Sequence, residues 1–174
     1  TCASYRRLGF FLKAGPDRRI GWGMVPLSFA GHKFLALPEA ALFWPDQGVL
    51  LVADLHFEKA SWYARFGQFL PPHDSQATLD MVEALVERTG ARAVWSLGDS
   101  FHDSDGAARL DSRAHDRLIS LTERLDWIWI TGNHDGGVTT MPGGRRAAEM
   151  EVEGIWLRHE ADPDDPRPEI SGHF

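Results

Sequence analysis

The chain has a single cysteine, Cys2, in 174 residues, so no disulfide can form within it and a framework of crosslinked loops is excluded. Long apolar runs are missing too. Gly48–Ala53 and Trp127–Thr131 fall far short of the ~20 residues of a membrane-crossing helix, so no helical span and no membrane partner is expected. An excess of basic charge is also absent. Lys and Arg number 18 against 25 Asp and Glu, a net charge of −7, which argues against broad, sequence-independent binding of nucleic acid. A local site that grips phosphate through bound cations stays open, because such ions invert the local field. The lone thiol fits a reducing compartment, and a cytoplasmic location is expected.

What is present is a globular composition, 43% hydrophobic and 25% charged, with seven tryptophans to fill a core of one domain. Charge is unevenly placed. Residues 1–23 hold five bases and one acid, whereas the rest holds 13 bases and 24 acids. Residues 1–23 are therefore expected to be a non-native or disordered arm without a secretory apolar core, and residues 24–174 the domain. The sequence stops at Ile-Ser-Gly-His-Phe without a polar tail, so the domain is expected to be incomplete at its C-terminus.

Met24–Trp44, broken by Gly31 and Pro38, suggests two short strands. Gly48–Ala53, Ala93–Leu97 and Trp127–Thr131 read as strands buried on both faces. Trp127 and Trp129, two residues apart, are expected to pack on one sheet face rather than stack bases. Glu58–Phe66, Asp74–Arg88 and Asp111–Arg124 read as helices; Leu79, Val82, Leu85 and Val86 recur at helical spacing, and Gly90 fits a C-terminal stop. Glu149–Arg158 pivots at Gly154 as one or two antiparallel strands, and Glu169 opens another. Strands alternating with helices, followed by hairpins, indicate an α/β protein with a mixed sheet.

Ligands of open α/β sheets bind beyond the carboxyl ends of the strands, and the chemistry-bearing residues cluster there. The clusters are Asp54-Leu55-His56, Gly98-Asp99, Gly132-Asn133-His134-Asp135, His159 and Gly172-His173. In an extended segment residues i and i+2 face the same side, so Asp54 and His56 are expected to converge on one ion. Asp99 has two oxygens and can bridge two cations. No cysteine joins any cluster, which disfavours thiolate zinc sites and leaves Mn²⁺, Fe, Zn²⁺ or Mg²⁺.

These motifs, in this order from Asp54 to His173, resemble the calcineurin-like metallophosphoesterase superfamily. More narrowly, Leu-Leu-Val-Ala-Asp-Leu-His-Phe-Glu-Lys, Ser-Leu-Gly-Asp-Ser-Phe-His-Asp and Trp-Ile-Thr-Gly-Asn-His-Asp resemble the bacterial ligase-associated DNA damage response endonucleases. The resemblance implies a sandwich of two mixed β-sheets flanked by helices. It implies two divalent metal ions, Mn²⁺ first among the candidates: Asp54 and His56 on the first, Asp99 bridging, and Asn133, His159 and His173 on the second. The superfamily's last motif, Gly-His-x-His, places its second His on the first metal. The sequence reaches only the x of that motif, Phe174, so a truncated domain of impaired activity is expected. His134 is implied to face the phosphate and protonate the leaving alkoxide, with Asp135 orienting it.

The expected activity is hydrolysis of a phosphodiester by metal-activated hydroxide, extending to a DNA-repair nuclease with a repair ligase or helicase as partner. Alternatives are a small-nucleotide phosphodiesterase or pyrophosphohydrolase, and a non-catalytic scaffold of the same fold that binds a protein. His102 is a candidate to line the mouth of the site. Arg145 and Arg146 are candidates to grip a second phosphate, with solvated loop charge as the alternative.

Overall fold

The computed structural model describes residues 7–9, 23–71, 73–134, 137–138 and 140–173. Strands β1 to β11 cover Arg7–Gly9, Val25–Phe29, His32–Leu37, Ala41–Trp44, Val49–Val52, Ala93–Leu97, Asp126–Ile130, Arg145–Ala147, Met150–Val152, Ile155–Glu160 and Glu169–His173. Helices α1 to α4 cover Lys59–Ala64, Asp74–Thr89, Gly106–Arg109 and Ser112–Arg124. Two sheets result. The larger runs β2-β3-β4-β5-β6-β7-β8, antiparallel through its hairpins and parallel from β5 to β8. The smaller runs β1-β11-β10-β9, with only β9 antiparallel to its neighbour. This is the expected α/β sandwich of two mixed sheets.

Period-two alternation explains why its central strands are apolar throughout. Leu50 and Val52 of β5, Val94 of β6, and Trp127 and Trp129 of β7 face a core shared with α2 and α4. Their alternates, Val49, Leu51, Trp95, Leu97, Ile128 and Ile130, face Ile155, Leu157 and Ile170 of the second sheet. Trp127 and Trp129 therefore share one buried face, their rings 5.0 Å apart. Leu79, Val82, Leu85 and Val86 form the buried stripe of α2, which ends at Gly90 in the left-handed region. Asp111 begins α4 by accepting a hydrogen bond from the Ala114 N–H.

Three elements differ from the sequence reading. Met24–Trp44 holds three strands, not two, because each breaker makes its own tight turn, at Ala30-Gly31 and at Pro38–Ala40. Arg145–Ala147 is a strand rather than a loop: the open edge of β7 recruits it, with Thr131 N–H donating to the Ala147 carbonyl. Gly106–Arg109 is a one-turn helix with no periodic signature. Of residues 1–23, Arg7–Gly9 is a strand beside β11, and all the others except Gly23 lie outside the described residues. Among the described residues no helix is long and apolar enough to cross a membrane.

Candidate metal centre

Parallel pairing of β5, β6 and β7 brings their carboxyl ends level, and the loops beyond them continue the pairing. Asp54 N–H donates to the Gly98 carbonyl (3.2 Å), His56 N–H to Asp99 (3.0 Å), Phe57 N–H to Ser100 (2.9 Å) and His102 N–H to Phe57 (3.0 Å). This zipper holds an unusual backbone. Asp54, His56 and Asp99 all have positive φ, at 52°, 47° and 49°. Left-handed backbone at non-glycine residues costs on the order of 1–3 kcal/mol each and persists only where the surroundings enforce it. The convergence of Asp54 and His56 therefore does not come from extended-strand alternation, as the sequence suggested. Both residues lie past the strand end, turned inward by left-handed backbone.

Ligand atoms of Asp54, His56 and Asp99 lie within 4.8 Å of one another. Asp99 is 4% exposed and sits at the hub. Its Oδ1 accepts the His134 backbone N–H at 3.0 Å and lies 3.5 Å from His159 Nε2, while its Oδ2 is 3.8 Å from His134 Nε2. His159, inside β10, has Nδ1 3.0 Å from the Leu97 carbonyl. A carbonyl only accepts, so Nδ1 carries the proton and Nε2 presents its lone pair to the cluster. His173 of β11 stacks on His159, ring centroids 5.3 Å apart.

Buried polar atoms without hydrogen-bond partners are rare, yet here they include Asp54 Oδ1, His56 Nδ1 and His159 Nε2. Lone-pair atoms left bare in one cluster, all carboxylate or imidazole, fit a divalent cation. Burial, reinforced by the neighbouring Asp99 charge, pushes the Asp54 carboxyl up to about 6. Burial pulls the His56 imidazole down to about 4, so it is neutral and ready to ligate at ordinary pH.

A pH dependence follows. Below about pH 6 an incoming metal ion must displace the Asp54 proton, whereas His56 is unprotonated down to about pH 4. Mn²⁺ affinity measured calorimetrically is expected to be level above about pH 7 and to fall by up to roughly tenfold per pH unit below about 6. Affinity that is flat, or rises with acid, would contradict this assignment.

The motif glycines are dictated by the close packing. A Cβ on Gly98 would overlap the His159 ring, one on Gly132 would overlap Asp99 N and Oδ1, and one on Gly172 would overlap the Leu97 carbonyl. Only glycine lets the strand ends approach this closely.

The remaining sequence candidates are placed as follows. Asn133 donates its side-chain amide to the Glu160 carboxylate. His134 projects outward, its side chain 52% exposed. Asp135 lies outside the described residues. The His102 ring lies parallel to and offset from the His134 ring, with centroids 5.6 Å apart, and sits 5.4 Å from the His56 ring. Arg145 and Arg146 are not brought to the cluster. Arg145 pairs with Asp126 at the opposite end of β7 (2.7 Å), and Arg146 donates to the Val138 carbonyl.

Three participants escaped the sequence reading. Glu160 follows His159 directly and anchors Asn133, but a lone acid after a histidine carries no signal of its own. Trp62 and Tyr63 meet His102 across a gap of some 40 residues that no local pattern bridges. An open, mostly polar cavity of about 440 Å³ adjoins the cluster, lined in part by Asn133, Arg158, His159 and Glu160.

Comparison with solved structures finds the same fold. The crystal structure of Pseudomonas putida nuclease MPE is similar to the chain with a TM-score of 0.71 and 25% identity, covering 86% of this chain and 72% of that one. No curated protein sequence compared with the chain matches it. The family model for calcineurin-like phosphoesterases matches residues 48–169, which take in every cluster residue except His173. The chain belongs to the calcineurin-like phosphoesterase family.

Proposed function

We propose that the protein is a dimetal phosphodiesterase that cleaves nucleic acid. Asp54, His56 and the bridging Asp99 would hold one ion, and Asp99, Asn133, His159 and His173 the second. The observation that carries this reading is the convergence of Asp54, His56, Asp99 and His159, with bare lone-pair atoms, beneath an exposed imidazole. Bound divalent ions supply positive charge to the phosphoryl oxygens and acidify water. Mn²⁺ is the first candidate by family resemblance, with Fe, Zn²⁺ and Mg²⁺ as alternatives that imidazole and carboxylate donors also accommodate.

The residues around the cluster have separable tasks. Asp99 fixes the His134 backbone through its Oδ1 contact, and the His102 ring lies parallel to and offset from the His134 ring. His134 is thereby aimed outward to hand a proton to the leaving alkoxide. Glu160 grips the Asn133 amide nitrogen and so orients its oxygen. The nuclease reading draws support from the likeness to Pseudomonas putida nuclease MPE. A DNA-repair role in the cytoplasm, alongside a ligase or helicase, belongs to the same proposal.

The net charge of −7 limits how much of a nucleic acid the surface can hold. Binding of a DNA oligonucleotide is expected to show a shallow salt dependence, a log–log slope of about −3 or less in magnitude, corresponding to few phosphate contacts. The test of function is Mn²⁺-dependent cleavage of an end-labelled oligonucleotide beside bis-p-nitrophenyl phosphate. Cleavage of both supports the nuclease. Hydrolysis of small diesters and cyclic nucleotides alone would replace it with a small-nucleotide phosphodiesterase, and a metal-loaded protein cleaving neither would turn the reading to a scaffold.

A further inference from the structure

Outward from the cluster, aromatic rings continue without a break. His134 stacks on His102; His102 meets Trp62 edge-on at 4.9 Å and Tyr63 at 5.5 Å; Trp62 meets Phe66 at 4.8 Å. Trp62 and Phe66 are four residues apart, on one side of α1 and the turn that follows it. The series ends in solvent. Phe66, its last ring, is 64% exposed, and Phe69, three residues further along the chain, is 86% exposed, a costly position for two phenylalanines within four residues unless something covers them.

The charge around these rings selects the occupant. Between residues 58 and 70 the bases are Lys59 and Arg65, and the one acid, Glu58, is buried with its carboxylate accepting the Ser75 hydroxyl. Arg65 is itself half exposed; Asp103, beside His102, lies 3.8 Å from it and 2.8 Å from Arg109, so two arginines share one carboxylate and the face keeps a positive excess. In a chain with an excess of acids, this segment is a local patch of rings interleaved with positive charge. Rings stack on bases and cations track phosphates, which is how single strands are held. A duplex hides its base faces, so it offers nothing to such a surface.

We propose that Trp62, Phe66 and Phe69 form a stacking platform for unpaired bases of a single-stranded nucleic acid, positioning its backbone at the metal cluster. The proposal rests on the phosphodiesterase reading and adds to it the residues that choose the substrate. A protein partner is the competing occupant, but it would not require the ring series to run continuously to His134.

The test separates stacking from hydrolysis. Binding of a labelled oligothymidylate and of an abasic oligomer of equal length is measured by fluorescence anisotropy in Ca²⁺, for the wild type and the Phe66→Ala/Phe69→Ala double variant. Both side chains are exposed, so the variant is expected to fold, with an unchanged melting temperature and Mn²⁺ affinity as checks. The platform requires the double variant to lose about tenfold to a hundredfold in oligothymidylate affinity and nothing for the abasic chain. Equal affinities for both oligomers in both proteins would overturn it, as would a loss that is the same for both. Altered self-association in sedimentation with intact oligonucleotide binding would also overturn it, reassigning the face to a protein contact. If the wild type cleaves no phosphodiester, the functional reading fails; if it cleaves but the double variant binds normally, only the platform fails.

Discussion

Asp99→Asn is expected to lower phosphodiester hydrolysis by at least a hundredfold while leaving the fold in place. The side chain keeps its size, so β6 and its loop have no reason to move. What changes is charge and donor character at the hub of the cluster. Asp99 faces the His134 N–H from a position 4% exposed, so an amide there either turns its nitrogen toward that donor or keeps its oxygen on it and offers the cluster one neutral oxygen in place of two anionic ones. It would also remove the negative charge nearest to Asp54. Even outer partners of metal ligands cost ~10–100-fold when removed, and Asp99 is placed more centrally than any of them. Loss of that charge should also return the Asp54 carboxyl part of the way toward its ordinary value. The checks are turnover of bis-p-nitrophenyl phosphate, Mn²⁺ titration and circular dichroism. Full turnover in Asp99→Asn would remove this residue from the site.

Gly132→Ala is the second large effect, and it acts through one methyl group. A Cβ at this position would coincide with the Asp99 backbone nitrogen and Oδ1, neither of which can yield without moving the β6 loop. Overpacking of this kind costs about 1–3 kcal/mol, which for a chain of this size lowers Tm by several degrees. The functional loss should exceed the stability loss. Displaced Asp99 would no longer meet His134 and His159, and Mn²⁺ affinity is expected to fall at least tenfold. Gly154→Ala is the control. Its φ of 78° disfavours alanine, a strain that Gly132 does not carry, and nothing lies within 4 Å of the added Cβ. That variant should melt lower by about 1 kcal/mol of stability and bind metal as the wild type does. Normal metal affinity in Gly132→Ala would show that the strand ends are less tightly interlocked than described.

Much of this was legible from residue pattern. The buried strands announced themselves as apolar runs because each is covered on one face by helices and on the other by a second sheet. The ends of those runs marked where Asp54, Asp99 and Asn133 would gather, since a parallel sheet delivers its carboxyl ends to one edge. What pattern did not carry was the backbone. Nothing in Asp54-Leu55-His56 distinguishes extended from left-handed residues; the zipper to Gly98–Ser100 decides it, and that is tertiary. β8 was hidden because Arg145–Ala147 has no apolar alternation and exists by pairing with an open edge. For the same reason Arg145 and Arg146 read as candidates for phosphate or as solvated loop charge, and their bonds to Asp126 and to the Val138 carbonyl were not visible. Sequence spacing cannot reveal such commitments, because the partners come from elements nearly twenty and eight residues away.

The proposed function makes phosphodiester hydrolysis depend on metal held by this cluster of carboxylates and imidazoles. It is tested most directly by stripping the protein of metal and titrating in Mn²⁺ while hydrolysis of bis-p-nitrophenyl phosphate is followed. No turnover is expected without metal; it should rise to a plateau as Mn²⁺ fills the cluster and disappear on addition of a chelator. Turnover that is indifferent to both Mn²⁺ and chelator, or saturable Mn²⁺ binding without turnover, would contradict it.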